Sequence, residues 1–278
     1  MTEVGAPIKH SRTRLRDRRE FHIAMSGSGG PKLLFVHGYI DSWRSFERMF
    51  PFLHEDHLLI AVDQRGHGDT QQAGSYSIAE FVADLIELIA SKSKVPVHLV
   101  GHSLGAIVAH RVASTRPDLV LSITLIGGAV SSAGNSGLSK LYEDLKGLDD
   151  PIPYRLAYDF QKSTAFQPLS EEVLEGYVQE SMKAAAGVWK AALLGLISDP
   201  HVPDAAPDVP ALVLWGEHDE VFPLNDQIAL RHWIAGARFI SYPDLGHAPQ
   251  WEDPRRVSAD LREFISRVEA DRGCPPRA

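Results

Sequence analysis

Cysteine is almost missing from this chain. Cys274 is the only one in 278 residues, so no disulfide can form within the chain and no thiolate metal site can be assembled. It stands in a Gly-Cys-Pro-Pro stretch that reads as a frayed tail, a poor setting for catalysis. Long apolar runs are absent too. Nothing is long enough to cross a bilayer, and the N-terminal stretch holds no signal-peptide core, so a cytoplasmic protein without a membrane partner is expected. Positive charge is scarce: 28 Lys and Arg face 36 Asp and Glu, a net charge of −8, which argues against a nucleic-acid partner. The one basic cluster, Arg12 to Arg19, is interleaved with other residues and reads as the polar face of an edge strand. Repeats and low-complexity linkers are lacking as well. What remains is a composition 44% hydrophobic, enough for one sizeable core.

Short apolar runs alternate with amphipathic stretches. Leu33 to Val36 and Leu58 to Val62 are continuous apolar runs of strand length, the pattern of strands buried on both faces. Val97–Val100, Leu121–Ile126, Ala211–Trp215 and Arg238–Tyr242 continue the series, and Ser11–Asp17 with Glu20–Met25 predict a leading hairpin. Ser42 is placed to cap a helix from Trp43 to about His54. Ser77 is placed to cap another, whose Ile78, Phe81, Val82, Leu85, Leu88 and Ile89 recur at helical spacing. The glycine-rich Ser26–Pro31 has no helix behind it and is a turn, not a nucleotide loop. From about 130 to 205 the strands stop, and helices are predicted over Leu138–Leu148, Tyr154–Phe166 and Ser170–Ile197. The reading is an α/β fold with a mostly parallel, doubly wound, eight-stranded sheet. Its core is 1–129 and 206–278, with a helical cap, 130–205, inserted after strand 6.

The stretch Gly101-His102-Ser103-Leu104-Gly105 sits between one of those buried strands and the helix-compatible run Ala106 to Ala113. Strand, sharp turn and helix are the context in which Gly-x-Ser-x-Gly means a nucleophile elbow. Acyl transfer by a serine needs a base, an acid that orients the base, and donors for the oxyanion. In open α/β sheets such groups gather beyond the carboxyl ends of the strands. Ser103, Asp219 and His247 all follow predicted strand ends, in the order Ser, acid, His. Glu217, two positions from Asp219, is the rival acid. Asp63 and His67 are read as structural and His37 as a support for its loop. His102 and His110 are read as packed or surface residues. His54-Glu55-Asp56-His57 lacks metal-site spacing and is read as solvated, so no metal is expected.

With these residues in place, the chain resembles the α/β-hydrolase-fold serine hydrolases. His37-Gly38-Tyr39 is similar to the family's oxyanion loop, and Asp63-Gln64-Arg65-Gly66-His67-Gly68 to the turn after its fourth strand. Trp215-Gly216-Glu217-His218-Asp219 with Pro223 is similar to its acid loop. Gly246-His247-Ala248-Pro249 with Glu252 and Pro254 is similar to its histidine loop. The resemblance implies Ser103 as nucleophile, His247 as base and then acid, and Asp219 as the group fixing the imidazole. It implies an oxyanion hole from the backbone N–H groups of Tyr39 and Leu104, and no cofactor.

Serine at the elbow, in place of aspartate, sets aside the alkyl-enzyme chemistry of epoxide hydrolases and dehalogenases. Hydrolysis of a small carboxylic ester or lactone is the first reading, with an esterase or enol-lactonase as the likeness. Two alternatives stay open. One is a carbon–carbon hydrolase of ring-fission-type diketones, favoured by Trp251 but not by His102, where those enzymes commonly carry Asn. The other is a slow-turnover receptor for a small ligand. The cap aromatics, Phe160 among them, predict an apolar pocket, with Tyr154, Tyr158, Phe166, Trp189, Phe222 and Trp251 as its candidate lining. Arg155, Lys162, Lys183 and Lys190 are scattered, so an uncharged substrate of moderate size is expected.

Overall fold

A computed structural model describes residues 7–93 and 95–273, which leaves Cys274 outside. β1 (Lys9–Arg14) and β2 (Glu20–Ser26) form the leading hairpin, three residues shorter at the turn than the pattern predicts. β3 (Lys32–Val36) leads into a 3-10 turn, Trp43–Met49, and the short α1 (Phe50–Leu53). The expected helix is present, its backbone helical through Met49 and Phe50, but its first seven residues wind as 3-10 before the α turn. β4 (Leu58–Val62), α2 (Ile78–Lys92), β5 (Val97–His102), α3 (Leu104–Thr115) and β6 (Val120–Ile126) follow.

Four helices then intervene before the next strand: α4 (Ser136–Leu145), α5 (Tyr154–Ser163), α6 (Glu171–Met182) and α7 (Ala186–Ile197). The pattern predicts one helix over Ser170–Ile197, whereas the chain turns extended at Ala185. The break lets Trp189 enter the core, where its indole N–H donates to Ser181 O, a carbonyl near the end of α6, at 3.2 Å. Asp150 accepts the freed Ala186 N–H at 2.5 Å. β7 (Ala211–Gly216), α8 (Leu224–Trp233), β8 (Arg238–Tyr242), α9 (Pro249–Glu252) and α10 (Pro254–Gly273) complete the described chain.

The strands form one sheet in the order β1-β2-β4-β3-β5-β6-β7-β8, parallel from β4 to β8 and antiparallel at β1 and β2. Period-two alternation divides its apolar residues between two cores. Leu34, Val36, Leu99, Ile123, Leu125 and Val213 face α2, α3 and the excursion helices. Leu33, Phe35, Val100, Ile126, Leu212 and Leu214 face the 3-10 turn, α1 and α10. Helices therefore cover both faces, and the parallel strands present their carboxyl ends along one rim.

Candidate active site

β5 is buried throughout and α3 starts two residues after it ends, so Ser103 alone makes the turn. It does so at φ 52° and ψ −117°, a conformation that costs an L-residue roughly 1–3 kcal/mol. Neighbouring hydrogen bonds hold it: Ser103 N–H donates to Ile126 O at 3.0 Å, and Ser103 O accepts from Ala106 N–H at 2.9 Å. The flanking glycines are required by space. A Cβ on Gly101 would lie 2.2 Å from Gly105 O, and one on Gly105 would lie 2.0 Å from Val36 O.

Leu104 opens α3, so its N–H has no intrahelical acceptor. The Tyr39 N–H likewise has no partner among the described residues. Ile40, next to Tyr39, holds φ 55°, an unfavourable value for a β-branched residue that bends this loop. A Cβ on Gly38 would lie 3.3 Å from Ser103 Cβ, so the loop rests against the elbow. His37 supports it from beneath. Gln64 N–H donates to His37 Nε2 at 2.9 Å, which leaves Nδ1 to carry the proton and donate to Gly38 O at 2.8 Å. The Tyr39 phenol donates to Trp189 O at 2.7 Å, and burial raises its pKa well above the usual value and keeps it neutral.

The loops after β7 and β8 bring in the acid and the imidazole. His247 Nδ1 lies 2.9 Å from Asp219 Oδ2, and Asp219 Oδ1 accepts from Val221 N–H and Phe222 N–H at 2.8 Å each. A carboxylate so placed requires the proton on Nδ1 and leaves the Nε2 lone pair free. Glu217, the rival acid, is exposed and accepts from the Ser241 hydroxyl at 2.8 Å. The histidine loop is pinned in turn: His102 Nε2 lies 3.1 Å from His247 O, and Ala248 N–H donates to Thr164 O at 3.1 Å. Glu252 accepts from the N–H groups of Gly246, Phe166 and Gln167.

Ser103 and His247 line the same small cavity, about 30 Å³, room for one or two waters. Gly38, Tyr39, Asp41 and His102 form one wall; Leu138, Phe160, Gln161, Thr164 and Leu196 from the excursion form the other, with Val221 and Trp251 between. Leu138, Phe160 and Val221 also border an outer groove of about 720 Å³. One group of His and Asp side chains among the described residues is close enough to share a cation: His22, Asp63 and Asp69. Asp63 there already accepts from Trp43 N–H, Asp69 N–H and the His22 ring.

Residues 31–254 match the alpha/beta hydrolase fold family. The chain belongs to that family. An (E)-2-((N-methylformamido)methylene)succinate hydrolase of Acinetobacter baylyi is 26% identical over 90% of this chain and 96% of that protein. The esterase of Exiguobacterium antarcticum superposes with a TM-score of 0.83 at 21% identity, covering 94% of this chain and all of that one. The enol-lactonase of Burkholderia xenovorans does so at 0.79 and 18%, covering 92% and 100%. At these identities the two structures establish the fold.

Within this alpha/beta hydrolase fold, Trp251 stands on the cavity wall, and the other candidate lining residues do not. Tyr154 is exposed, its hydroxyl 2.5 Å from a Glu175 oxygen, and Tyr158 packs beside it. Phe166 is exposed and stacks on His218. Trp189 and Phe222 are buried behind the wall, one against Tyr39 and the other edge-on to His247 at 5.7 Å. Helix phase turns Tyr154 and Tyr158 of α5 away from the cavity while Phe160 faces it, core packing takes Trp189 and Phe222, and Phe166 stays on the surface. The sequence reading did not single out Asp41 and Gln161, which carry no motif. His57, expected in solvent, is buried with Nδ1 3.1 Å from Leu53 O. His102 and His110 are both buried.

Proposed function

We propose that the chain is a serine hydrolase that cleaves a carboxylic ester or lactone through an acyl-enzyme. Ser103 is the nucleophile, His247 the base and then the acid, and Asp219 the residue that fixes the imidazole. The observation that carries this reading is the pairing of a positive-φ serine at a helix start with an Asp-oriented imidazole, both bordering one cavity. His247 Nε2 takes the hydroxyl proton as Oγ attacks the carbonyl carbon. The free N–H groups of Tyr39 and Leu104 receive the oxyanion, with the start of α3 adding its dipole. The imidazolium returns the proton to the leaving alkoxide. A water then gives a proton to Nε2 as it attacks the acyl carbon; the acyl–Oγ bond breaks, the imidazolium returns that proton to Ser103 Oγ, and the acid leaves.

The helices between β6 and β7 serve in this reading as a cap over the site. A cavity of about 30 Å³ cannot hold an acyl substrate, since ligand pockets usually run to hundreds of cubic ångströms. Substrate enters from the outer groove, and Leu138, Phe160 and Val221 must separate to admit it.

A fluorophosphonate probe tests the assignment. We expect a stoichiometric adduct on Ser103 and none in Ser103→Ala; an adduct on another serine, or none in the wild type, overturns it. Turnover of a vinylogous diketone in preference to every ester would move the reading to carbon–carbon hydrolysis. A single turnover without release would move it to a receptor.

A further inference from the structure

Beside the groups assigned to the reaction, three acceptor atoms on the residues lining this cavity lack a well-placed donor. Gln161 is fully buried, and its Nε2 lies 3.2 Å from Ile40 O and 3.3 Å from Asp41 Oδ1. Turning the amide over would set oxygen against both of those oxygens, so the orientation is fixed by chemistry. That leaves Gln161 Oε1 buried without a partner among the described residues. Asp41 is also buried, and its three neighbours are distant: Gln161 Nε2 at 3.3 Å, Ser45 Oγ at 3.4 Å and His102 Nδ1 at 3.6 Å. Asp219 and Asp63, by contrast, hold every partner at 2.7–2.9 Å, the range for charged acceptors. Asp41 is the loosely satisfied carboxylate of the three.

His102 completes the set. Its Nε2 must carry a proton to donate to His247 O, so in the neutral ring Nδ1 is a lone pair facing Asp41 Oδ2. Burial lowers the pKa of this imidazole and favours the neutral ring. A Cβ on Gly38 would lie 3.0 Å from Asp41 Oδ2, 3.0 Å from His102 Nδ1 and 3.3 Å from Ser103 Cβ. Asp41 Oδ2 and His102 Nδ1 therefore converge beside the elbow, and Gln161, hydrogen-bonded to Asp41 Oδ1, lines the same cavity. A buried acceptor without a donor is costly, and folds keep such groups where a ligand satisfies them.

We propose that Gln161 and Asp41, with His102, form an acceptor subsite that selects acyl substrates bearing a hydroxyl or N–H donor close to the scissile carbonyl. The proposal rests on the serine hydrolase reading and changes its substrate class from plain apolar acyl groups to donor-bearing ones.

Two pairs of 4-nitrophenyl esters test it: glycolate against propanoate, and 3-hydroxypropanoate against butanoate. Within each pair a hydroxyl replaces a methyl group of similar size, and rates are divided by those for hydroxide hydrolysis. We expect the wild type to favour the hydroxyl member of at least one pair tenfold or more in kcat/KM. Gln161→Met, which removes the acceptor at nearly constant volume, should bring that ratio below threefold. Asp41→Asn should lower it independently, so that one variant's failure to fold leaves the other to decide. Wild-type ratios below threefold in both pairs overturn the subsite, as does a ratio retained in both variants. No turnover of any ester, with no fluorophosphonate adduct on Ser103, overturns the hydrolase reading and the subsite with it.

Discussion

Asp219 shows how much one side chain controls at this site. Both its oxygens are occupied: Oδ1 by two backbone N–H groups at 2.8 Å, Oδ2 by His247 Nδ1 at 2.9 Å. An asparagine in its place would keep its oxygen on the backbone donors and turn its amide toward the imidazole. Nδ1 would then have to accept, the proton would move to Nε2, and the Nε2 lone pair that the proposed base needs would be lost. Asp219→Asn should therefore lower kcat about 10³–10⁴-fold with little change in thermal stability, read from burst and steady-state kinetics. A loss under tenfold would show that another acid orients His247. That Asp219 meets His247 is seen in the fold, but the loops that carry Tyr39, Ser103, Asp219 and His247 were legible in the sequence because each has a local spacing. Asp41 and Gln161 were not, since 120 positions separate them and nothing local marks either.

Among the elements, the helices between β6 and β7 line the cavity that Ser103 borders, and under the proposed function they set what can reach it. Phe160 on α5 packs edge-on to Tyr39 and to Trp189, each at 5.6 Å, and stands between the outer groove and the inner cavity. Shortening it opens that passage. Phe160→Ala should raise the decanoate-to-acetate ratio of kcat/KM about tenfold, the effect of 1–2 kcal/mol of pocket contact. An unchanged ratio would place the entrance elsewhere. The helical character of this excursion was legible from its patterning. Its segmentation was not: the break before α7 is enforced by Trp189 entering the core and by Asp150 accepting a distant N–H.

Across the whole molecule, buried histidines make the fold sensitive to acid. Burial lowers the pKa of His67 to about 3 and that of His110 to about 3. The unfolded chain binds protons at these sites below about pH 6.5, while the folded chain refuses them until about pH 3. Stability is therefore complete above pH 6.5 and falls as the pH drops toward 3. At pH 5 the loss is about 2 kcal/mol for each of these histidines. His110 packs edge-on to Trp233 at 4.7 Å, so His110→Phe keeps an aromatic ring there without a titratable group. Urea unfolding at pH 7 and pH 5 should show the variant losing about 2 kcal/mol less than the wild type. An equal loss in both would remove His110 from this account.

The α/β order, the two-faced burial of the parallel strands and the loops that carry Ser103, Asp219 and His247 could be read from the order of residues alone. Each of these is written in short-range periodicity or in a fixed local spacing. Tertiary packing alone settles which residues of the helices between β6 and β7 face the cavity, that Glu217 turns to solvent while Asp219 meets His247, and that Asp41 lies between His102 and Gln161. Those outcomes depend on helix phase and on packing between segments from 28 to 120 residues apart, where no local pattern constrains the orientation of a side chain.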